Sequence, residues 1–383
     1  MRILTFTGHY LPSYKGGGPI KTIKNLFDTT GSGDIAYRLI TADRDLGDAE
    51  PFRSVKIGAW NRVGNADVYY VSAGSVGREQ IKGIITKEYY DFIYVNSFFS
   101  FRFSIYPQFL ARNTKRIIIV GPRGEFSEGA LKLKSFKKKL FIAIYRAFGF
   151  HRRAIFQASS DYEARDIKRE LGNSVDIRIA ENLGAQEFAL DIPQKNSDIN
   201  RIIVVSRISL MKNLLQAIQI LKHVSSPVVY DIYGPIEDKE YWTKCEAEIK
   251  QLPAHVEVRY QGVLTPDQVV NTMATYDMFF MPTLGENYGH VIAEAFCAGL
   301  PVLIADTTPW RQLEEKGIGW DIPLSKPDKF ARAIDEFAAL TDKEYQAKRQ
   351  KVLRWAKHKF SQRDAIEANI AMFKYAYEKS RKQ

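Results

Sequence analysis

The sequence predicts an α/β protein built from two doubly wound domains. Three observations carry that prediction. Short apolar runs alternate with helical patterns along all 383 residues. The runs fall into two sets, about six in each half of the chain. A polar, proline-bearing stretch, Asp191–Asn200, separates the sets directly ahead of a new strand. Strand–helix alternation means parallel sheets covered on both faces. Six strands per set suits a doubly wound sheet, whose ligands bind beyond the carboxyl ends of the strands.

The first set comprises Ile3–Thr7, Tyr37–Thr41, Val68–Val71, Phe92–Asn96, Arg116–Val120 and Ala154–Ala158. The second comprises Arg201–Val205, Val228–Tyr233, Val256–Gln261, Met278–Met281, Val302–Ala305 and Trp320–Ile322. Each is short and rich in β-branched or aromatic residues, as buried strands are. Amphipathic stretches such as Leu214–His223 and Pro266–Tyr276 lie between them as helices. From Ser361 onward, Ile366, Ile370, Phe373 and Tyr377 recur every three to four residues and predict a closing helix with one buried stripe. The expected domains are residues 1–195, 196–360 and a terminal helix, 361–383, packing back on the first.

Composition excludes several classes. Hydrophobic residues make up 45% and charged residues 26%, which suits a globular chain and not a disordered or fibrous one. No apolar run approaches the ~18 residues of a membrane helix. The opening MRILTFTGHYLP lacks a small-residue cleavage site and does not read as a signal peptide. Cys245 and Cys297 stand far apart, so neither a disulfide framework nor a cysteine zinc site is expected, and a reducing cytoplasm fits. The formal net charge of +11 points to an anionic partner: a nucleic acid, a membrane surface or a phosphate-bearing ligand.

Chemistry is therefore sought in the loops after strands. After the first comes Gly16-Gly17-Gly18-Pro19, ahead of a helical pattern. Without Cβ atoms, backbone amides approach an anion closely, and the helix behind adds partial positive charge. The loop is neither GxGxxG nor a Walker sequence, which argues against a dehydrogenase or a P-loop enzyme. After the first strand of the second set, Arg207 and Lys212 lie in Ser206-Arg207-Ile208-Ser209-Leu210-Met211-Lys212-Asn213. A guanidinium and an ammonium so spaced suit a diphosphate. The most specific segment runs Gly285-Glu286-Asn287-Tyr288-Gly289-His290-Val291-Ile292-Ala293-Glu294-Ala295-Phe296. Glu286 falls in a loop and Glu294 inside an apolar helix, where a carboxylate needs hydrogen-bonding partners such as ribose hydroxyls. Eight helical rises are roughly 12 Å, the reach from a ribose to a sugar beyond its diphosphate, with the Asn287–Val291 amides at the helix start between the two.

Glu286-x7-Glu294 followed by Gly299-Leu300-Pro301-Val302 resembles the signature of retaining glycosyltransferases of family 4, which have the GT-B fold. The Arg207–Lys212 turn resembles that family's donor-phosphate motif. The stretch Tyr10-Leu11-Pro12 with Gly16–Gly18 resembles its N-terminal glycine loop. Gly121-Pro122-Arg123-Gly124 and Ser160-Asp161-Tyr162-Glu163 are similar to segments of its bacterial polysaccharide and O-antigen members. The resemblance implies a hexosyltransferase in which Glu286, Arg207 and Lys212 act on the donor sugar and diphosphate. Gly16, Gly17, Gly18, Asn287, Tyr288, Gly289, His290, Val291, Glu294, Gly262 and Leu264 would bind the rest of the donor. Asn96 and Arg123 are the acceptor-side candidates. Many family members carry a histidine where this chain has Asn96, and asparagine cannot act as a base. A front-face mechanism, in which the leaving phosphate takes the acceptor proton, needs none.

No cofactor and no metal are expected. Asp43-Arg44-Asp45 has the DxD spacing of some metal-dependent transferases, but it falls in the first half of the chain and reads as a solvated loop. Between Glu128 and Asp161 there is no acid. There, Leu131–Phe156 interleaves Lys132, Lys134, Lys137, Lys138, Lys139, Arg146, Arg152 and Arg153 with aromatic residues, as a membrane-surface helix does. No nucleic-acid motif accompanies it. The expected activity is transfer of a sugar, from a UDP-sugar by preference, to a lipid-linked glycan at the inner face of the cytoplasmic membrane. The rival readings are a basic nucleotide- or nucleic-acid-binding module without catalysis, and a same-fold nucleotide-sugar epimerase or hydrolase.

Overall fold

The structure is a computed structural model. It describes residues 1–382 except 32, 113, 115, 133–134, 185–186, 196–198 and 362, with the backbone alone for residues 128, 132 and 361. The chain forms two compact units, Met1–Leu183 with Arg363–Gln383, and Gly184–Gln362. The first unit ends at Leu183, ahead of the polar stretch at 191–200, of which 196–198 lie outside the described residues.

The first unit holds eight strands: β1 (Arg2–Phe6), β2 (Ala36–Ala42), β3 (Trp60–Val63), β4 (Ala66–Val71), β5 (Phe92–Val95), β6 (Ile117–Val120), β7 (Ala154–Ala158) and β8 (Asp176–Ile179). Their order is β3-β4-β2-β1-β5-β6-β7-β8, parallel except for the β3/β4 hairpin. The registers Ile3↔Tyr37 and Ile3↔Phe92 put β1 at the centre. Successive residues of a strand face opposite sides of the sheet. Both sides are apolar here: Leu4, Phe6, Ile93 and Val95 enter one core cluster, and Ile3, Phe92 and Tyr94 the other. Two strands escape the sequence pattern. The β3 strand is an antiparallel edge strand turned by Gly64, and β8 reads Asp-Ile-Arg-Ile, with charges on an edge. The helix Arg363–Arg381 packs on this unit. Its fully buried stripe is Asn369, Met372, Phe373 and Ala376, with Ile366, Ile370 and Tyr377 flanking it.

The second unit is a six-stranded parallel sheet: β9 (Asn200–Val205), β10 (Val228–Tyr233), β11 (Val256–Tyr260), β12 (Met278–Met281), β13 (Val302–Ala305) and β14 (Gly319–Ile322). The order is β11-β10-β9-β12-β13-β14. Chain order therefore reverses beside β9, which has β10 on one side and β12 on the other. At such a switch point the loops leaving adjacent strands diverge and open a crevice. In the first unit the same reversal falls at β1, between β2 and β5.

Candidate active site

In the second unit, the switch point lies between the loops after β9 and β12. The β9 loop runs through Ser206–Ser209 into a 3₁₀ turn, Leu210–Lys212. Asn213 then adopts a left-handed conformation (φ 56°) ahead of the helix Leu214–Leu221. The loop is stitched to the β12 loop. The Leu284 amide donates to the Met211 carbonyl at 2.9 Å, and the Thr283 hydroxyl to the same carbonyl at 3.0 Å. Asn213 Nδ2 donates to the Pro282 carbonyl at 2.9 Å. Thr307, beyond β13, donates to the Thr283 carbonyl at 2.7 Å. These bonds fix where the side chains of both loops begin.

Two predicted residues meet at that seam. Lys212 Nζ donates to Glu286 Oε1 in an ion pair that is mostly covered from solvent. Arg207 takes a different partner, donating Nη1 to Glu237 Oε1 at 3.0 Å on an exposed surface. Its turn is pressed against the end of β10: a Cβ on Gly234 (φ 139°) would lie 1.8 Å from the Ser206 carbonyl oxygen. Gly234 also donates its amide to the Gly262 carbonyl at 2.7 Å, which brings Gly262 to the same strand ends.

The helix His290–Cys297 starts only after Gly289, whose φ of 73° suits glycine. A Cβ there would sit 2.9 Å from Ile292 Cδ1. Glu286 thus precedes the helix through a left-handed turn, in the loop where the sequence places it. Val291 is partly exposed, while His290, Ile292, Ala293, Glu294, Ala295, Phe296 and Cys297 are all buried. Burial pushes the Cys297 thiol up, and the Glu294 charge adds to it. Tyr288 packs its ring 4.8 Å from His290 and 5.3 Å from Trp310. Trp310 Nε1 in turn donates to the Tyr288 carbonyl.

Asp231, inside β10, is buried under Arg259 (2.8 Å), Tyr276 (2.8 Å) and Gln261 (3.0 Å). Burial alone would raise its carboxyl. The three donors outweigh that and lower it.

In the first unit, the helix Gly18–Thr30 begins behind Gly17, which has φ 66° and open space where a Cβ would go. Gly16 is tight: a Cβ would lie 3.0 Å from Ile20 Cδ1. Asp45 anchors the approach to this loop. It accepts from Ser13 Oγ and from the amides of Tyr14 (3.0 Å), Lys15 (3.4 Å) and Leu46 (2.7 Å). The solvated-loop reading of Asp43-Arg44-Asp45 is therefore overturned, because both aspartates are only 3% exposed. Burial works to raise the Asp45 carboxyl, but the Ser13 hydroxyl and the amides bring it below the usual range. Among the described residues, no group of three or more His, Cys, Asp or Glu side chains could hold a metal.

Asn96 follows β5, and Arg123 follows β6 with a left-handed φ of 55°. They meet: Arg123 Nη2 donates to Asn96 Oδ1 at 2.6 Å, and Nε to the same atom at 3.2 Å. Arg123 also donates to Asn182 Oδ1 and Tyr94 Oη, and Tyr94 donates onward to Gln157. Glu163 braces the turn by accepting from the Gly124 amide at 2.6 Å.

The stretch Leu131–Phe156 is not one helix. Ser135–Ala147 is helical, Phe150–Arg152 is a 3₁₀ turn, and Phe156 is buried in β7. Lys134 lies outside the described residues, and of Lys132 only the backbone is described. Ile142 and Tyr145 face the core. On the other side Phe136, Leu140, Ile144 and Phe148 form an exposed stripe at spacing four, with Phe136 81% exposed. Lys137 and Lys139 flank it in solvent, whereas Lys138 turns back to the Ala130 carbonyl at 2.7 Å. Among the described residues no helix is long and apolar enough to cross a membrane.

Sequence reasoning missed Glu237, Trp310 and the anchoring role of Asp45. Trp310 could have been found from its place after a strand, since it follows β13. Glu237 follows β10 in the same way, but nothing in the sequence pairs it with Arg207.

Residues 186–354 match the family model described as glycosyl transferases group 1. Solved structures of similar fold cover nearly the whole chain. The structure of Anabaena Alr3699/HepE in complex with UDP and glucose is 16% identical, with a TM-score of 0.73, covering 98% of this chain and 99% of that one. WaaG, a glycosyltransferase involved in lipopolysaccharide biosynthesis, is 12% identical, with a TM-score of 0.67, over 97% and 98% of the chains. Sucrose-phosphate synthase of Thermosynechococcus elongatus is 13% identical, with a TM-score of 0.69, over 98% of each. No curated protein sequence matches the chain. The shared architecture is the GT-B fold, two Rossmann-like α/β domains, as the sequence predicts.

Proposed function

We propose that the protein is a retaining, metal-independent glycosyltransferase of the family 4 type. It moves a sugar from a UDP-sugar to a hydroxyl of a lipid-linked glycan during synthesis of a bacterial surface polysaccharide such as O-antigen. One observation carries the reading: Lys212 and Glu286 pair across the loops of adjacent strands β9 and β12, ahead of a helix that buries Glu294. A module that holds a polyanion gains nothing from two carboxylates beside its cation. A site for a sugar, a diphosphate and a ribose uses both kinds of charge. The group 1 match spans these loops. The UDP and glucose in the HepE complex and the lipopolysaccharide role of WaaG favour the donor and the pathway.

In this mechanism the arriving diphosphate draws Lys212 from Glu286 and Arg207 from Glu237. The freed Glu286 then accepts from the sugar hydroxyls. The C1–O bond to the β-phosphate breaks, and its electron pair goes to the phosphate oxygen, where Arg207 and Lys212 stabilise the charge. The acceptor hydroxyl attacks C1 from the same face and gives its proton to that oxygen. No side-chain base is required, consistent with Asn96 and Arg123 being hydrogen-bonded to each other and serving to position the acceptor. Glu294 takes the ribose hydroxyls, and the backbone at Gly262 and Leu264 meets the base. The amides from Asn287 to Val291 face the phosphates. The stripe from Phe136 to Phe148, with Lys137 and Lys139, docks the enzyme reversibly on the inner leaflet of the cytoplasmic membrane.

Thermal-shift screening against a panel of nucleotide sugars, followed by product analysis with the stabilising donor, tests the reading. A ligand at ~100 times its Kd stabilises the folded state by about 2.7 kcal/mol. A UDP-sugar should raise the melting temperature and yield a glycoside of unchanged anomeric configuration. No response to any nucleotide sugar, or release of free sugar alone in the presence of acceptor, would refute it.

A further inference from the structure

At the amino ends of β6 and β7, the edge of the first sheet opposite Asn96 and the glycine loop, lies a cavity of about 310 Å³. Arg112, Arg116, Arg152, Arg153 and Lys379 line it together with Phe150, and among the described residues no carboxylate does. The register Ile118↔Ala154 brings Arg116 and Arg152 to neighbouring strand starts. Arg116 is held firmly. It donates to the Ile85 and Glu88 carbonyls at 3.1 and 3.2 Å, and its guanidinium lies 3.8 Å from the Tyr90 ring centre. Lys379 pairs with Asp176 at 2.9 Å, at the start of β8. Lys379 is thus paired with a carboxylate and Arg116 is held by carbonyls, which leaves the exposed Arg112, Arg152 and Arg153 to line the space. The neighbouring His151 is buried and held below the usual imidazole range, first by burial and then by the charges of Arg152 and Arg146.

Like charges gathered on a concave wall repel one another, and a bound anion relieves the repulsion. Arginine forks match phosphate oxygens bidentately. A space of this size lies at the small end of ligand pockets and suits a compact phosphorylated group with little else attached.

We propose that this cavity is a phosphate-binding site, distinct from the donor site and independent of the glycosyltransferase reading, which takes a phosphate ester or diphosphate group. Soluble phosphates and the headgroup of an anionic phospholipid share that chemistry.

The test titrates full-length protein with inorganic pyrophosphate and, separately, with monomeric dihexanoyl phosphatidate. The background is Arg207→Ala with Lys212→Ala, so the donor site takes no diphosphate. Arg152→Glu with Arg153→Glu is compared with Lys244→Glu with Lys250→Glu, which makes the same charge change on the exposed surface of the second unit. Removing the guanidinium forks should weaken binding at least about tenfold in the first pair, with no change in the second. Arg112→Gln, a milder change, should weaken it in the same direction and guards against misfolding of the double variant. Equal weakening for both ligands assigns the site to phosphate itself. Weakening for phosphatidate, with no pyrophosphate binding in any variant, assigns it to a lipid headgroup. Failure of the background protein to bind either ligand, or equal binding by both charge-reversal pairs, overturns the proposal.

Discussion

Replacing Asp45 with alanine separates a structural aspartate from a metal-binding one. The carboxylate accepts from the Ser13 hydroxyl and from the amides of Tyr14, Leu46 and, at greater length, Lys15. Ser13 and Asp45 are buried, so water cannot freely replace the missing acceptor. Three good bonds to a charged group, at roughly 1 kcal/mol net each, put the cost at about 3 kcal/mol. The damage should be local to the segment that leads into Gly16–Gly18. Hydrogen exchange read by mass spectrometry should show faster exchange in peptides spanning residues 12–18 and 44–48, and urea unfolding should show the reduced stability. The pH dependence has a defined sign. The folded carboxyl lies below its ordinary value, so its contribution is fully present above the unfolded pKa of ~3.9 and is lost as pH falls through the folded one. The gap between wild type and variant should therefore hold from neutral pH to about pH 4 and close below it. Unaltered exchange at Tyr14 and Leu46, with an unchanged unfolding midpoint, would refute the anchoring role.

Three further outcomes are expected. Arg349→Met should destabilise the second unit by about 3 kcal/mol in urea unfolding, because it strands the Gly299, Tyr276 and Ala274 carbonyls that the buried guanidinium joins at 2.6, 2.6 and 3.1 Å. Transfer activity should persist in excess EDTA; complete loss, restored by magnesium or manganese, would show that a metal handles the diphosphate. In vesicle co-sedimentation, Lys137→Glu with Lys139→Glu should weaken binding to anionic vesicles at low salt by roughly 30-fold, the ~2 kcal/mol that two lysines contribute near such a surface. Equal binding by wild type and variant would make the stripe an ordinary surface.

The alternation of apolar runs was enough to read the two parallel sheets, because strands covered on both faces must be apolar throughout, as Phe92–Val95 is. The edge strands β3 and β8 hid behind polar residues that an edge tolerates. The Lys212–Glu286 pair was legible as two charged loops, since spacing from a strand end fixes which loop a residue occupies. Which charges meet was not. Arg207 turns to Glu237, thirty residues on, and that choice depends on Gly234 letting β10 close against Ser206. The start of the Glu294 helix was legible within Asn287–Val291, where one left-handed glycine, Gly289, ends the loop. Asp43 and Asp45 looked solvated because polar composition suggests exposure, whereas hydrogen bonding to buried backbone amides lets a carboxylate sit inside.

The most direct measurement is the rate of sugar transfer from the stabilising UDP-sugar by Lys212→Ala and Glu294→Ala, each shown to be folded by its unliganded melting temperature. Deleting a charged hydrogen-bonding group from a closed site removes ~2–4 kcal/mol of transition-state stabilisation, so each variant should transfer roughly 30- to 1000-fold more slowly than wild type. Near-normal turnover in either folded variant would contradict the assignment of the β9 and β12 loops as the seat of glycosyl transfer.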